Sequence, residues 1–239
     1  MTTYNLLGRD VEEVYGSRVA RALTWVDNPF FMPDFIRARL SVERDHRLWQ
    51  TWWTAPSLRA TGRTAQGNAV VLYAHVKNFY SDAENVRAAI DDGKLVRGAG
   101  PLSQEEFTRL LSLEGDGVFV IDHATLRKSP SGVIKVSQAL AHPQTIPFLG
   151  VSQEEAQMYL QKHEAAYGDR IGISFTDYSR SDPFARLLFL GDRGDLFGYY
   201  NLDDYARVLG VFRDASLGVR PAASIVLENG IFIPSGLFY

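Results

Sequence analysis

The chain has 239 residues, 46% of them hydrophobic, 12% aromatic and 22% charged, and a formal net charge of −3. That size and composition suit a chain with a well-buried core and exclude disorder. It contains no cysteine, which excludes disulfides, thiolate nucleophiles and cysteine-ligated zinc or iron–sulfur centres.

Basic and acidic residues are interspersed, so no electrostatic footprint for nucleic acid stands out. The opening residues, MTTYNLLGRDVEEVYG, lack a basic stretch followed by an apolar one, so no signal peptide is expected. The longest apolar runs, such as Ala69–Ala74, are too short to span a bilayer, so no membrane partner is expected. Together with the missing cysteines, these features predict a soluble, cytoplasmic protein.

In chain order, Val11, Tyr15, Val19, Ala22 and Val26 recur at helical spacing, and Asp10 can cap, which predicts a first helix from Asp10 to about Val26. Asn28-Pro29 ends it. Pro33 suits the first turn of a second helix reaching Trp53. That helix would carry two apolar stripes, one through Ile36, Leu40, Leu48 and Trp52, the other through Phe35, Ala38, Val42, Trp49 and Trp53. Arg59–Asn68 reads as a turn-rich connection, with Gly62 and Gly67 as breakers. Ala69–Val76 is apolar on both alternating faces, as in a strand covered on both sides.

Ser81, Ser103 and Ser152 each have a glutamate three residues on, and Gly93, Gly115 and Gly168 fall where helix C-terminal glycines belong. Helices are therefore predicted at about 82–92, 104–114 and 153–167. Strands are expected at Val118–Ile121 and Arg170–Thr176, with short helices at 122–128 and 135–141. Further strands follow at Arg186–Leu190, Leu196–Asn201, Arg207–Phe212 and Ala223–Leu227, and Glu228-Asn229-Gly230 reads as a turn into Ile231–Ile233. The expected fold is α+β, a mixed sheet with a parallel central part, an antiparallel C-terminal meander and an N-terminal helical pair. One principal domain is expected over residues 1–239, with residues 1–58 as a helical segment packed on it.

No motif names a reaction. The glycines around Arg97–Pro101 lack the preceding strand and the Lys-Ser or Lys-Thr of a phosphate cradle. Arg193-Gly194-Asp195 lies in a polar turn between two strands. The five histidines show no metal-ligand spacing, and no serine sits in a nucleophile elbow, so no metal site is assigned and any cofactor is left open.

Two candidate sites remain. Trp49, Trp52 and Trp53 fit core packing or a protein interface, and with the apolar tail Gly236–Tyr239 they suggest a homodimer or a protein partner. The second site assumes that the three central strands are parallel. Their carboxyl ends would then gather His75, Asp122, His123, Asp177 and Arg180 on one edge, with an imidazole as general base and Arg180 holding an anion. The first points to a binding or regulatory protein that works through an aromatic interface. The second points to a hydrolase or lyase on a small polar or anionic substrate.

Overall fold

The computed structural model describes residues 2–129, 131–174 and 182–213. It opens with a hairpin, β1 (Thr3–Leu6) and β2 (Arg9–Gly16), joined by Leu7-Gly8. Both turn residues have positive φ, 54° and 74°, as the favoured two-residue hairpin turn demands. A short helix α1 (Val19–Thr24) and the two-residue β3 (Val26–Asp27) follow. Next come α2 (Met32–Ser41), α3 (Arg47–Gln50) and two long neighbours, β4 (Trp53–Arg63) and β5 (Ala69–Ala74). The middle holds α4 (Ala83–Asp91), β6 (Gly100–Pro101), α5 (Gln104–Leu111), β7 (Val118–Asp122) and α6 (His123–Arg127). Then come β8 (Gly132–Lys135), α7 (Val136–Ala139), α8 (Thr145–Leu149), α9 (Gln153–Tyr167) and β9 (Arg170–Ser174). The described part ends with β10 (Phe184–Leu190), β11 (Leu196–Tyr200) and β12 (Ala206–Phe212).

The larger sheet runs in the order β7-β5-β4-β10-β11-β9-β8, with β6 beside β10, and the smaller in the order β1-β2-β12-β3. Among the described strands only β9 and β11 pair in parallel. Strand β5 buries alternate residues on its two sides. Val71 and Tyr73 enter a core with Phe35, Trp49, Trp53, Phe148 and Tyr159, while Val70, Leu72 and Ala74 enter a second core with Val19, Leu23, Val86, Phe107 and Leu110. The sheet is thus covered by α2, α8 and α9 on one face and by α1, α4 and α5 on the other, which is why AVVLYA is apolar throughout.

The expected parallel centre is corrected. Strand β5 pairs antiparallel with both β4 and β7. The excursion from His75 to Gly117 contains α4 and α5 and is long enough to bring the chain back from either end, so helices between these strands do not impose parallel pairing. The expected C-terminal meander is corrected too, because β12 leaves β11 to pair with β2 and β3 in the smaller sheet.

The N-terminal helical pair also gives way. Residues 9–16 are strand, because the Leu7-Gly8 turn folds them onto β1, and helix begins only at Val19. The second predicted helix stops at Ser41, and Trp53 begins β4. Strand β4 also replaces the connection expected from Arg59. At Gly62 a Cβ would lie 2.7 Å from the Phe107 ring, so this glycine admits the packing of α5 on the sheet rather than breaking the strand.

The helices opened by Ser103 and Ser152 start as their capping residues predict, each serine hydroxyl accepting from the amide three residues on at 3.1 Å. Helix α4 is capped instead by Asp82, one residue beyond the predicted serine. The strand expected at Ala223–Leu227 and the turn at Glu228–Gly230 lie outside the described residues.

Candidate binding surface

Strands β2 and β12 set Tyr15 directly opposite Arg207. Cross-strand partners share a face, and here that face meets Trp52, just before β4, and Phe189 of β10. Tyr15 stacks on Tyr205 with centroids 6.1 Å apart and planes 10° from parallel, and meets Trp52 edge-on at 6.1 Å. Trp52 contacts Phe189 at 5.4 Å, and Phe189 stacks on Tyr200 at 4.6 Å. The row runs from exposed to sheltered. Tyr15 and Tyr205 are 48% and 44% exposed, whereas Trp52, Phe189 and Tyr200 are half-buried.

A charged layer fixes this row from beneath. The Arg207 guanidinium lies 5.6 Å from the Tyr15 ring centre and 5.0 Å from that of Trp52, within cation–π range of both. It pairs with Glu13, which also receives two bonds from Arg47, at 2.7 and 2.8 Å, and one from the Tyr4 hydroxyl at 2.9 Å. Burial alone would raise the Glu13 pKa, but the Arg47 hydrogen bonds and the charges of Arg207 and Arg47 pull it below its ordinary value. Glu13 is therefore ionised at neutral pH and holds Arg207 in place. The Tyr15 phenol is raised by partial burial, Tyr205 and Asp204, against the pull of Arg207, so it stays protonated. The surface can offer π-faces, phenol hydroxyls and a fixed cation, which suits recognition.

Of the three predicted interface tryptophans, Trp52 reaches this row. Trp49 and Trp53 lie in the core, 1% and 0% exposed. Trp49 stacks on Tyr159 at 5.4 Å and Trp53 tilts against Phe35 at 5.5 Å. Of the predicted catalytic residues, Asp122 and His123 come together, and His75 lies apart from them. His75 is buried beyond the end of β5, where its amide donates to Gly117 just before β7. Asp122 ends β7 opposite Val70, near the other end of the antiparallel pair. His123 is buried at the start of α6, and it and Asp122 line an open cleft of about 470 Å³ with Arg127 and Asn68. Asp177 and Arg180 lie outside the described residues. Tyr15, Phe189, Tyr205 and Arg207 had no sequence signal, because they converge from strands far apart in the chain.

Neither a protein-family model nor a curated protein matches the chain. A solved structure does. It comes from work on the accommodation of massive sequence variation in Nanoarchaeota by the C-type lectin fold. The two share 45% sequence identity and superpose with a TM-score of 0.78, over 85% of this chain and 97% of that one. The antiparallel sheets thus belong to a C-type-lectin-like architecture. The chain belongs to the C-type lectin fold family represented by that structure. This corrects the expected cytoplasmic location, since the family is typically extracellular or secreted. Among the described residues, no helix is long and apolar enough to cross a membrane.

Proposed function

We propose that this chain is a single-domain binding protein whose partner, a protein or another ligand, docks on the row from Tyr15 and Tyr205 to Trp52 and Phe189. The observation that carries the reading is the exposed Tyr15–Tyr205 stack over a guanidinium held by a buried carboxylate. Large aromatics on a rigid sheet give much contact area for little conformational entropy, and such groups dominate binding energy where they occur. The related Nanoarchaeota structure concerns massive sequence variation, and the same tolerance in this chain would fall on exposed positions such as Tyr15 and Tyr205. Their side chains lie outside both buried cores, so changing them leaves the scaffold intact.

The test compares the wild type with a Tyr15→Ala, Tyr205→Ala double variant on a displayed peptide library and a glycan array. Ligands captured by the wild type are expected to bind the variant at least ~30-fold more weakly, the loss of about 2 kcal/mol typical of an aromatic hot spot. Unfolding stability should fall by less than ~1 kcal/mol. An unchanged capture profile in the double variant would refute the reading. A second copy of the chain is one candidate partner, and light scattering of the wild type and the variant would reveal self-association through this surface.

A further inference from the structure

We infer that the cleft between α1 and α4 is a second binding site, for a small anion that carries a flat ring. It goes beyond the aromatic row and shares none of the side chains of that row. The two helices pack through Val19, Ala22 and Leu23 against Val86 and Ala89, and above that contact lies an open cleft of about 430 Å³. That volume is in the range of small-molecule sites.

One side of the cleft is cationic. Arg18, in extended backbone just before α1, and Arg21, within α1, both line the cleft. Both are exposed, and neither guanidinium has a hydrogen-bonding or ion-pair partner among the described residues. The neighbouring Arg87 differs, because its guanidinium is held by Glu84 at 2.6 Å. Asp91 adds one acid to the rim. Two adjacent free guanidiniums repel each other and can each present a planar fork, so an anionic group between them gains charge-assisted hydrogen bonds and relieves the repulsion.

The other side is a flat apolar surface. Trp25 lies one helical turn beyond Arg21, a side-chain spacing of about 6 Å. Its ring is backed by Phe212, with centroids 6.2 Å apart and planes 6° from parallel, which fixes the indole. Ile90 of α4 lines the same cleft. A ligand with its ring on Trp25 and its anionic end at Arg18 and Arg21 would use both sides of the cleft, and a nucleoside monophosphate carries both groups.

Adenosine monophosphate is the probe, with inorganic phosphate and adenosine as its separate halves. Titration is followed by tryptophan fluorescence and by calorimetry. Adenosine monophosphate is expected to bind at least ~10-fold more tightly than either half and to change the fluorescence of the wild type. An Arg18→Ala, Arg21→Ala variant should weaken it at least ~10-fold while melting as the wild type does. A Trp25→Phe variant should lose the fluorescence change, and Tyr15→Ala should leave it unaltered, which separates this cleft from the aromatic row. No saturable binding up to millimolar nucleotide would overturn the inference. So would equal affinity for phosphate alone, or nucleotide binding that survives loss of both arginines.

Discussion

Replacing Arg39 by alanine is expected to destabilise the protein by about 4 kcal/mol, the range for breaking a buried charged contact. Arg39 projects from α2 and is fully buried. It donates from Nε to the Leu48 carbonyl at 2.8 Å and from Nη1 to the Tyr159 hydroxyl at 3.0 Å. Its Nη2 reaches the carbonyls of Thr51 at 3.2 Å and Gly191 at 3.3 Å. One guanidinium thus ties α2 to α3, to the entrance of β4, to α9 and to the turn after β10. Its cation lies 5.0 Å from the Trp49 ring centre, and the Trp49 indole donates back to the Arg39 carbonyl at 2.9 Å. Alanine would take a donor from three carbonyls, of which Leu48 keeps the Trp53 indole at 3.2 Å and Gly191 keeps the Gly194 amide at 2.9 Å, and would open a void beside Trp49. Each unsatisfied buried acceptor costs about 1–3 kcal/mol before relaxation or entering water recovers part of it. Arg39→Met separates the two effects, because it keeps most of the stem but none of the donors. Denaturant unfolding should show Arg39→Met recovering less than half of the alanine loss. If the methionine variant matches the wild type within ~0.5 kcal/mol, the hydrogen bonds do not hold these elements together.

Arg39 also shows where sequence reading reaches its limit. Helix spacing in α2 places residue 39 beside the apolar stripe, but nothing nearby in the chain reveals acceptors at 159 and 191. Signals that act over a few residues were legible. Ser103 and Ser152 located α5 and α9, and the alternating apolar runs located β5, β7 and β10. Residues 9–16 misled because Val11, Tyr15 and Val19 satisfy a helical period as well, and the turn that makes them a strand uses a leucine at positive φ. Strand β4 was hidden because Thr54, Ser57, Arg59 and Thr61 interrupt its apolar pattern with polar side chains. All four are buried, and two of them find buried partners, Arg59 in Tyr73 and Ser57 in His75. The parallel centre came from reading the helices between β5, β7 and β9 as crossovers, and the antiparallel pairing of β5 with β4 and β7 overturns it. The aromatic surface depends on the pairing of β2 with β12, which fixes Tyr15 across from Arg207 over a separation no local pattern spans.

Stability is expected to fall by about 3 kcal/mol between pH 7 and pH 4 through His75 alone. The ring is buried between β4, α8 and β7. Its Nε2 lies 2.8 Å from the Pro147 carbonyl and its Nδ1 lies 3.0 Å from the Ser57 hydroxyl oxygen. A carbonyl can only accept, so Nε2 carries the proton and Nδ1 accepts from Ser57. The Ser57 oxygen in turn accepts from the Met32 amide at 2.8 Å. Protonating Nδ1 would turn both neighbours of that oxygen into donors and leave the serine proton seeking another acceptor. Burial pushes the His75 pKa down from 6.5 to about 4, and the bond to Pro147 opposes this only in part. The sign follows from proton counts. Below pH 6.5 the unfolded chain takes up a proton that the folded chain refuses until about pH 4, so unfolding gains as pH falls. The contribution is complete above pH 6.5 and lost progressively down to pH 4, at 1.36 kcal/mol per pH unit. His75→Gln keeps a neutral polar group and removes the titration. Urea unfolding at pH 7, 6, 5 and 4 should therefore give the variant a shallower decline than the wild type, with the gap widening to ~3 kcal/mol at pH 4. Parallel declines in the two proteins would mean that His75 does not carry the acid sensitivity of the fold.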